Sequence, residues 1–504
     1  MNENILNWYP FTQNSTILYI EKEKNKNIRS LLSKKAKSLT ILELNEFENS
    51  SINELQNINI VKSIVEITEK YDYIIMLGVL ENSKEIIKED DSEVKLMNFV
   101  KERLNEQGKI LLAVDNRLGV KYIVGNKSEY CNKVYDTIKN EYKTSRMFSK
   151  TELENILKNV GFKYRKNYYP LPDYKNTNVI YTDDRLPEAH DSKINYNPIY
   201  EEGSLIVQDE TILLKQFIKE GDFIKYTNSY LIELSNSEID TDIKYVSFNN
   251  LRKDKYSLIL KMKDDIVEKS PKSEEAIEHI KQINENNNKL RELGFEIAEK
   301  IETQENSIKS NYINMPLLDD YIYKLIRQSE KEEVYKIIDD WFEYIKSKLE
   351  VDENGNVKHG FIDLVFENTF YDKDNNKFIF FDQEWYMENI NVNCILYRAI
   401  NNLYSHNTNL TKYMPKEEML EKYNLLENNK EFEEIENKLQ EQVVDEEKKK
   451  IYGKIYDYKV SSEELKKIIE DLKRFDKDNQ ELIKEVEKLQ KMSLYEIFKR
   501  KIKG

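Results

Sequence analysis

Glycine is scarce in this chain, 12 in 504 residues, and the first is Gly78. A phosphate loop of the G-x-x-x-x-G-K-[ST] kind and a G-x-S-x-G nucleophile elbow both need glycines at fixed spacing, and neither motif occurs. Cysteine is scarcer still. Cys131 and Cys394 are too few and too far apart for a disulfide framework or a zinc site, a usage that fits a reducing cytoplasm. His190, His279, His359 and His406 are scattered and lack the i, i+4 pairing of zinc enzymes. Cations are outnumbered, Lys+Arg 78 against Asp+Glu 93, so no nucleic-acid partner is expected, although a local basic cleft stays open. No apolar run approaches the roughly 20 residues of a membrane span. Met1 to Trp8 has neither the basic nor the apolar region of a signal peptide, so a soluble, cytoplasmic protein is expected.

What is present is ample core material: 39% hydrophobic residues, with 34 Tyr and 19 Phe, over a length that predicts two or three domains. The first part alternates strands (16–20, 39–43, 73–80, 109–114) with helices (28–37, 94–105, 150–160), which predicts a parallel sheet covered on both faces. Ser149 with Glu152 three positions on reads as a capping box, and Gly161 ends that helix. A closing strand is expected over 222–234 and a domain boundary near 236. Beyond it come strands at 243–248 and 256–262, a helix from 273 to 302, a hinge at Pro316 and two helices, the second containing Trp341. The expected fold class is α/β: a Rossmann-like domain over 1–236, a two-lobed α+β domain over 237–416 and a helical tail over 417–504.

The segment His359 to Asn368, followed by Asp382 at the end of the apolar run Phe378 to Phe381, is the most informative stretch. A carboxylate, an amide five positions on and a second carboxylate past a short strand are the groups of a phosphotransferase. Asp363 would orient the attacking hydroxyl as the catalytic residue, and Asn368 and Asp382 would hold Mg²⁺ on the phosphates. The polar turn 371–377 between two apolar strands makes a hairpin that would bring the three together. An ordinary surface hairpin with acidic ends would read the same way. A phosphate-contacting lysine is also needed. Lys269 is the candidate, with Glu274, Glu275 or Glu278 from the next helix as its ion-pair partner, and Lys261 is the rival.

Two resemblances follow from these residues. Asp363-Leu364, Asn368, Asp382 and Glu384 resemble the catalytic hairpin of the aminoglycoside-phosphotransferase and choline-kinase group, H-G-D-L-x-x-x-N and then I-D-x-E, although Phe361 and Ile362 intervene after His359-Gly360. The resemblance implies ATP and Mg as cofactors and a small-molecule or glycan-precursor substrate. The first 236 residues resemble a class I S-adenosylmethionine-dependent methyltransferase. Glu43 stands where that family binds the cofactor ribose, and Asp72 at its strand-four acidic position. Segments 109–119 and 168–175 resemble a bacterial subgroup associated with surface-polysaccharide or flagellin glycans. Segment 21–27 departs from the family, with three lysines, two glutamates and no glycine, which argues against S-adenosylmethionine in its ordinary pose. Phosphotransfer is therefore the leading expectation. Methyl transfer and a non-catalytic scaffold are the alternatives.

In the tail, Leu465, Ile468, Leu472, Phe475, Asn479, Leu482, Val486 and Leu489 alternate spacings of three and four, a heptad seam with Asn479 at an a-like position. It predicts a homodimer through residues 460–492. A helix packed on its own chain fits the same pattern.

Overall fold

The computed structural model describes residues 1–45, 57–130, 133–140, 145–189, 191–300, 306–452 and 462–490. The apolar runs of the first part become β1 (Ser15–Glu21), β2 (Ala36–Glu43), β3 (Ile58–Val61), β4 (Tyr71–Leu77) and β5 (Leu104–Asp115). All five are parallel neighbours in the order β3-β2-β1-β4-β5. Helix Lys26–Lys35 links β1 to β2 and Ser92–Glu102 links β4 to β5, while Lys150–Val160 follows β5. β6 (Tyr164–Leu171), β7 (Val179–Thr182) and β8 (Ser229–Ser235) complete this part, with β8 inserted antiparallel between β5 and β6. Both faces are buried, one around Leu18, Ile74 and Leu112, the other around Tyr19, Ile75 and Leu111.

Local signals account for the ends. Ser149 and Glu152 form the capping box, and Gly161 closes that helix at φ 73°. β4 stops at Leu77, short of the expected residue 80, because Gly78 turns the chain at φ 69°. The expected strand at 222 begins only at Ser229. Residues Phe223–Tyr226 turn helically, with the Phe223 ring edge-on to Tyr169.

The sheet does not end at residue 236. β9 (Ile243–Phe248) pairs antiparallel with β7, and β10 (Leu258–Lys263), β11 (Ile266–Pro271), β12 (Glu299–Lys300) and β13 (Ile308–Asn311) continue it to thirteen strands. The last five lie in the order β9-β10-β11-β13-β12, all antiparallel, with helix Ile277–Glu292 between β11 and β12 in sequence. That helix is shorter than the expected 273–302 because Gly294, at φ 86°, ends it and the chain re-enters the sheet.

Past Pro316 come helices Leu318–Arg327 and Lys331–Leu349, then β14 (Asn356–Phe361), the hairpin β15 (Thr369–Asp372) and β16 (Lys377–Phe380), and β17 (Tyr386–Asn391). Trp341, Phe361, Ile362 and Phe380 share one buried cluster with helix Asn393–His406. Helices Asn429–Val443, Glu446–Tyr452 and Ser462–Gln490 follow. Among the described residues no helix is long and apolar enough to cross a membrane.

Candidate functional site

The hairpin and the five-stranded layer meet. Lys269 on β11 forms an ion pair with Asp382, just past β16, and lies 3.7 Å from Glu299 on β12. Glu299 also accepts the backbone N–H of Asp382 at 2.8 Å, so one buried carboxylate fixes both partners. Asp382 sits at φ 59°, a left-handed conformation that Asp tolerates better than most residues and that is frequent at functional sites. Burial opposes the charge of Lys269, but Asp382, Glu299 and Glu384 outweigh it and raise its pKa. Burial also raises Asp382, against the pull of Lys269.

Asp363 follows β14, with Oδ2 accepting the backbone N–H of Glu384 and Trp385 at 2.9 and 2.8 Å and Oδ1 3.3 Å from Arg398. Arg398 is held by both carboxylate oxygens of Glu436, at 2.7 and 2.6 Å. Burial pushes Asp363 up to about 7, with Arg398 as the main opposing influence. Asn368 donates through Nδ2 to the carbonyls of Asp363 and Asp382, at 3.2 and 3.5 Å, which leaves Oδ1 as its side-chain acceptor. Glu384 is gripped by Arg252 and by His279 Nε2 at 3.1 Å. Lys193, from the first part of the chain, faces Arg252, Asp382 and Glu384, and burial lowers its pKa.

The structure thus brings together Lys269, Asp363, Asn368 and Asp382. Glu278 does not join them: its exposed carboxylate pairs with Lys281 at 3.0 Å, and the ion-pair partners of Lys269 are Asp382 and Glu299. Lys261, paired with Glu268 in register, points to the opposite face of β10 from Leu260, the partner of Lys269. His359 is engaged by the Tyr386 hydroxyl at 2.8 Å. Sequence reasoning missed Glu299, His279, Arg252 and Arg398. A lone arginine inside the apolar run Ile395 to Ile400 was the available signal for Arg398.

Among the described residues no group of three or more His, Cys, Asp or Glu side chains is arranged to hold a metal ion. A Mg²⁺ shared with phosphates needs only one or two protein carboxylates, and the hard oxygens of Asp382 and Asn368 fit that donor set.

A second polar region lies at the C-terminal edge of the parallel strands. Arg29 bridges Glu21, at the end of β1, and Glu43, at the end of β2, the latter at 2.5 Å. Lys62 takes the other oxygen of Glu43. Lys22 Nζ donates to Asn82 at 2.9 Å, and the Tyr174 hydroxyl lies so close over Gly78 that a Cβ there would clash with it. Both oxygens of Glu43, the position that the resemblance gives the cofactor ribose, are therefore taken by the protein's own cations, and the residues present do not fit S-adenosylmethionine in its ordinary pose. A cleft of about 210 Å³ remains, between Leu42, Leu44, Lys62, Ile64 and Ile86. Asp72 lies at the start of β4, at the opposite edge from Glu43, where its carboxylate accepts from Thr16 N at 2.8 Å and Asn105 at 2.6 Å. It cannot serve the same ligand as Glu43. Segments 109–119 and 168–175 meet in a buried network, Lys121 Nζ lying 2.9 Å from both Asp115 and Asp173. Beside it, burial and Asp115 push Glu81 up to about 8.

No family model matches the chain, and no curated protein does. Among solved structures it is similar to an S-adenosylmethionine-dependent methyltransferase from Archaeoglobus fulgidus, at 12% identity over 44% of this chain and 87% of that one, TM-score 0.28. One from Clostridium acetobutylicum is similar at 12% identity over 44% and 84%, TM-score 0.25. A possible histamine N-methyltransferase from Thermotoga maritima is similar at 12% over 45% and 84%, TM-score 0.25. Likeness at this level says nothing of activity. The first part of this chain is a mixed α/β sheet in the order β3-β2-β1-β4-β5-β8-β6, with β8 antiparallel.

Proposed function

We propose that this chain transfers the γ-phosphoryl group of a nucleoside triphosphate to a hydroxyl of a small molecule or glycan precursor. The carrying observation is that Lys269, Glu299 and Asp382 are tied together beside Asp363 and Asn368. Support comes also from the antiparallel layer with its helix between β11 and β12 and from the hairpin placing Asp382 after β16. Lys269 would bind phosphate oxygens, and Asp382 with Asn368 Oδ1 would hold Mg²⁺, which when bound neutralises phosphate charge. Asp363 would accept the proton of the attacking hydroxyl as its oxygen bonds to the γ-phosphorus and the bond to the β,γ-bridging oxygen breaks, releasing the nucleoside diphosphate. With its pKa pushed up to about 7, Asp363 is a stronger base than an exposed carboxylate. A role in surface-glycan or flagellin modification is the context that the subgroup resemblance suggests.

The test is thermal stabilisation by MgADP and nucleoside-diphosphate release from MgATP with a panel of sugars and amino alcohols. Asp363→Asn should abolish release and keep the stabilisation. Wild-type protein that neither MgADP nor MgATP stabilises would end the proposal.

A second reading, methyl transfer by the first part, is favoured by its strand order and by the cleft beyond β2, β3 and β4. Calorimetry with S-adenosylmethionine separates the two.

A further inference from the structure

The turn between β9 and β10, residues 249–257, lies against the phosphotransfer residues and contains no glycine. Its Arg252 reaches across to Glu384, two positions past Asp382, and its guanidinium stands 5.8 Å from the Trp385 ring centre. The side chain is not fully enclosed, keeping 20% of its surface exposed.

The turn is fastened by the junction between helices Asn429–Val443 and Glu446–Tyr452. Lys253 N donates to Val443 O at 2.9 Å and Asp445 N to Leu251 O at 2.8 Å, a short antiparallel bridge. Lys448 Nζ donates to the Arg252 carbonyl at 3.0 Å and pairs with Asp254 at 2.5 Å, and Gln442 Nε2 donates to the Tyr256 hydroxyl at 2.9 Å. A glycine-rich loop offers bare amides and can fold down on phosphates. This turn has no glycine and its backbone is pinned, so a side chain is the group it can extend toward a phosphate. A guanidinium is the group best matched to phosphate oxygens, because its planar fork donates two parallel hydrogen bonds. Two of the cations at the site, Arg252 and Lys269, are held by Glu384 and Asp382, two carboxylates separated only by Gln383.

We propose that Arg252 is a nucleotide-phosphate-binding residue of this chain, exchanging Glu384 for the β- and γ-phosphate oxygens when Mg²⁺-nucleotide enters. Glu384 then keeps His279 as its partner. The inference rests on the phosphotransfer reading above. Its test compares the full-length chain with Arg252→Gln and Arg252→Lys, using MgATP, MgADP and adenosine as probes. Arg252→Gln should raise KM for MgATP and weaken MgADP binding about tenfold or more, with kcat changed far less, because it removes two charge-assisted hydrogen bonds. Arg252→Lys should recover part of the loss, since an ammonium supplies charge without the fork. Adenosine, which has no phosphate, should bind all three proteins alike. Equal MgADP affinity in wild type and Arg252→Gln would overturn the proposal, and so would equal losses for adenosine and MgADP, which mark a structural role. If Arg252→Gln does not fold, Arg252→Lys is judged by the same criteria. If wild type binds none of the three probes, the phosphotransfer reading falls first and this inference with it.

Discussion

Lys269 and Asp382 stand 113 positions apart in the chain and close on each other as an ion pair. The five-stranded layer supplies the cation and the hairpin supplies the anion, so the pair reports whether the two are correctly seated. The Lys269 end is buried while Asp382 keeps 32% of its side chain exposed, so solvent screens the pair in part, and breaking it costs chiefly because Glu299 and Asp382 lose their shared cation.

Replacing the cation alone should therefore hurt more than replacing both charges. Lys269→Met leaves Asp382 and Glu299 facing each other and should cost about 2 kcal/mol in denaturant unfolding, less than a fully buried pair because Asp382 is partly exposed. Adding Asp382→Asn to Lys269→Met should return about 1 kcal/mol or more. A double variant no more stable than Lys269→Met would mean that the pair is solvated.

Stability should also fall with rising pH through Glu81. Its carboxyl is buried, one oxygen accepting the N–H of Asp115 at 2.8 Å, and is pushed up to about 8 from an ordinary 4.5. Between those values the folded state binds more protons than the unfolded state, so unfolding free energy decreases as pH rises and the contribution is gone above about 8. Glu81→Gln keeps the acceptor and cannot ionise. Its Tm should fall less than that of wild type between pH 5 and pH 8 in calorimetric scans. Parallel pH profiles would show that Glu81 titrates normally.

S-adenosylmethionine at micromolar concentration should give no binding heat. Arg29 and Lys62 already occupy both oxygens of Glu43, and Tyr174 fills the space over Gly78. Saturable heat that Glu43→Ala abolishes would reverse this and favour methyl transfer.

The helix Ser462–Gln490 leaves Leu472, Phe475 and Leu482 between 63% and 70% exposed, with Ile469 and Ile483 widening the stripe. A second copy is the expected cover. The full chain should scatter light as a dimer and a chain ending near residue 455 as a monomer. Asn479→Leu should still associate, with altered oligomer order. Two monomers would rule out the dimer.

Much of this was legible in the sequence because it is local. The hairpin announced itself by its polar turn, the helix at Lys150 by its capping box, and Asp363, Asn368 and Asp382 by spacing within one supersecondary unit. The partners of these groups were not legible. Glu299 reaches Asp382 across 83 positions, Arg398 reaches Asp363 across 35 and Arg252 reaches Glu384 across 132, and no periodicity encodes such closures. Glu278 failed through helix phase. His279, Ile280, Ile283, Asn286 and Asn287 form the buried face, and Glu278 lies outside it. Asp72 failed through strand polarity, being at the beginning of a parallel strand whose far end faces the cleft. β3, four residues long, gave too weak a signal to find.

The pairing of β7 with β9, Val179 opposite Ser247 through Tyr181 opposite Tyr245, has a practical consequence. Severing the polypeptide near residue 236 would give two fragments, each with a freshly unzipped strand whose amides and carbonyls have lost their partners. Such raw edges recruit other chains. The two pieces expressed apart should aggregate, and mixed during refolding they should find each other.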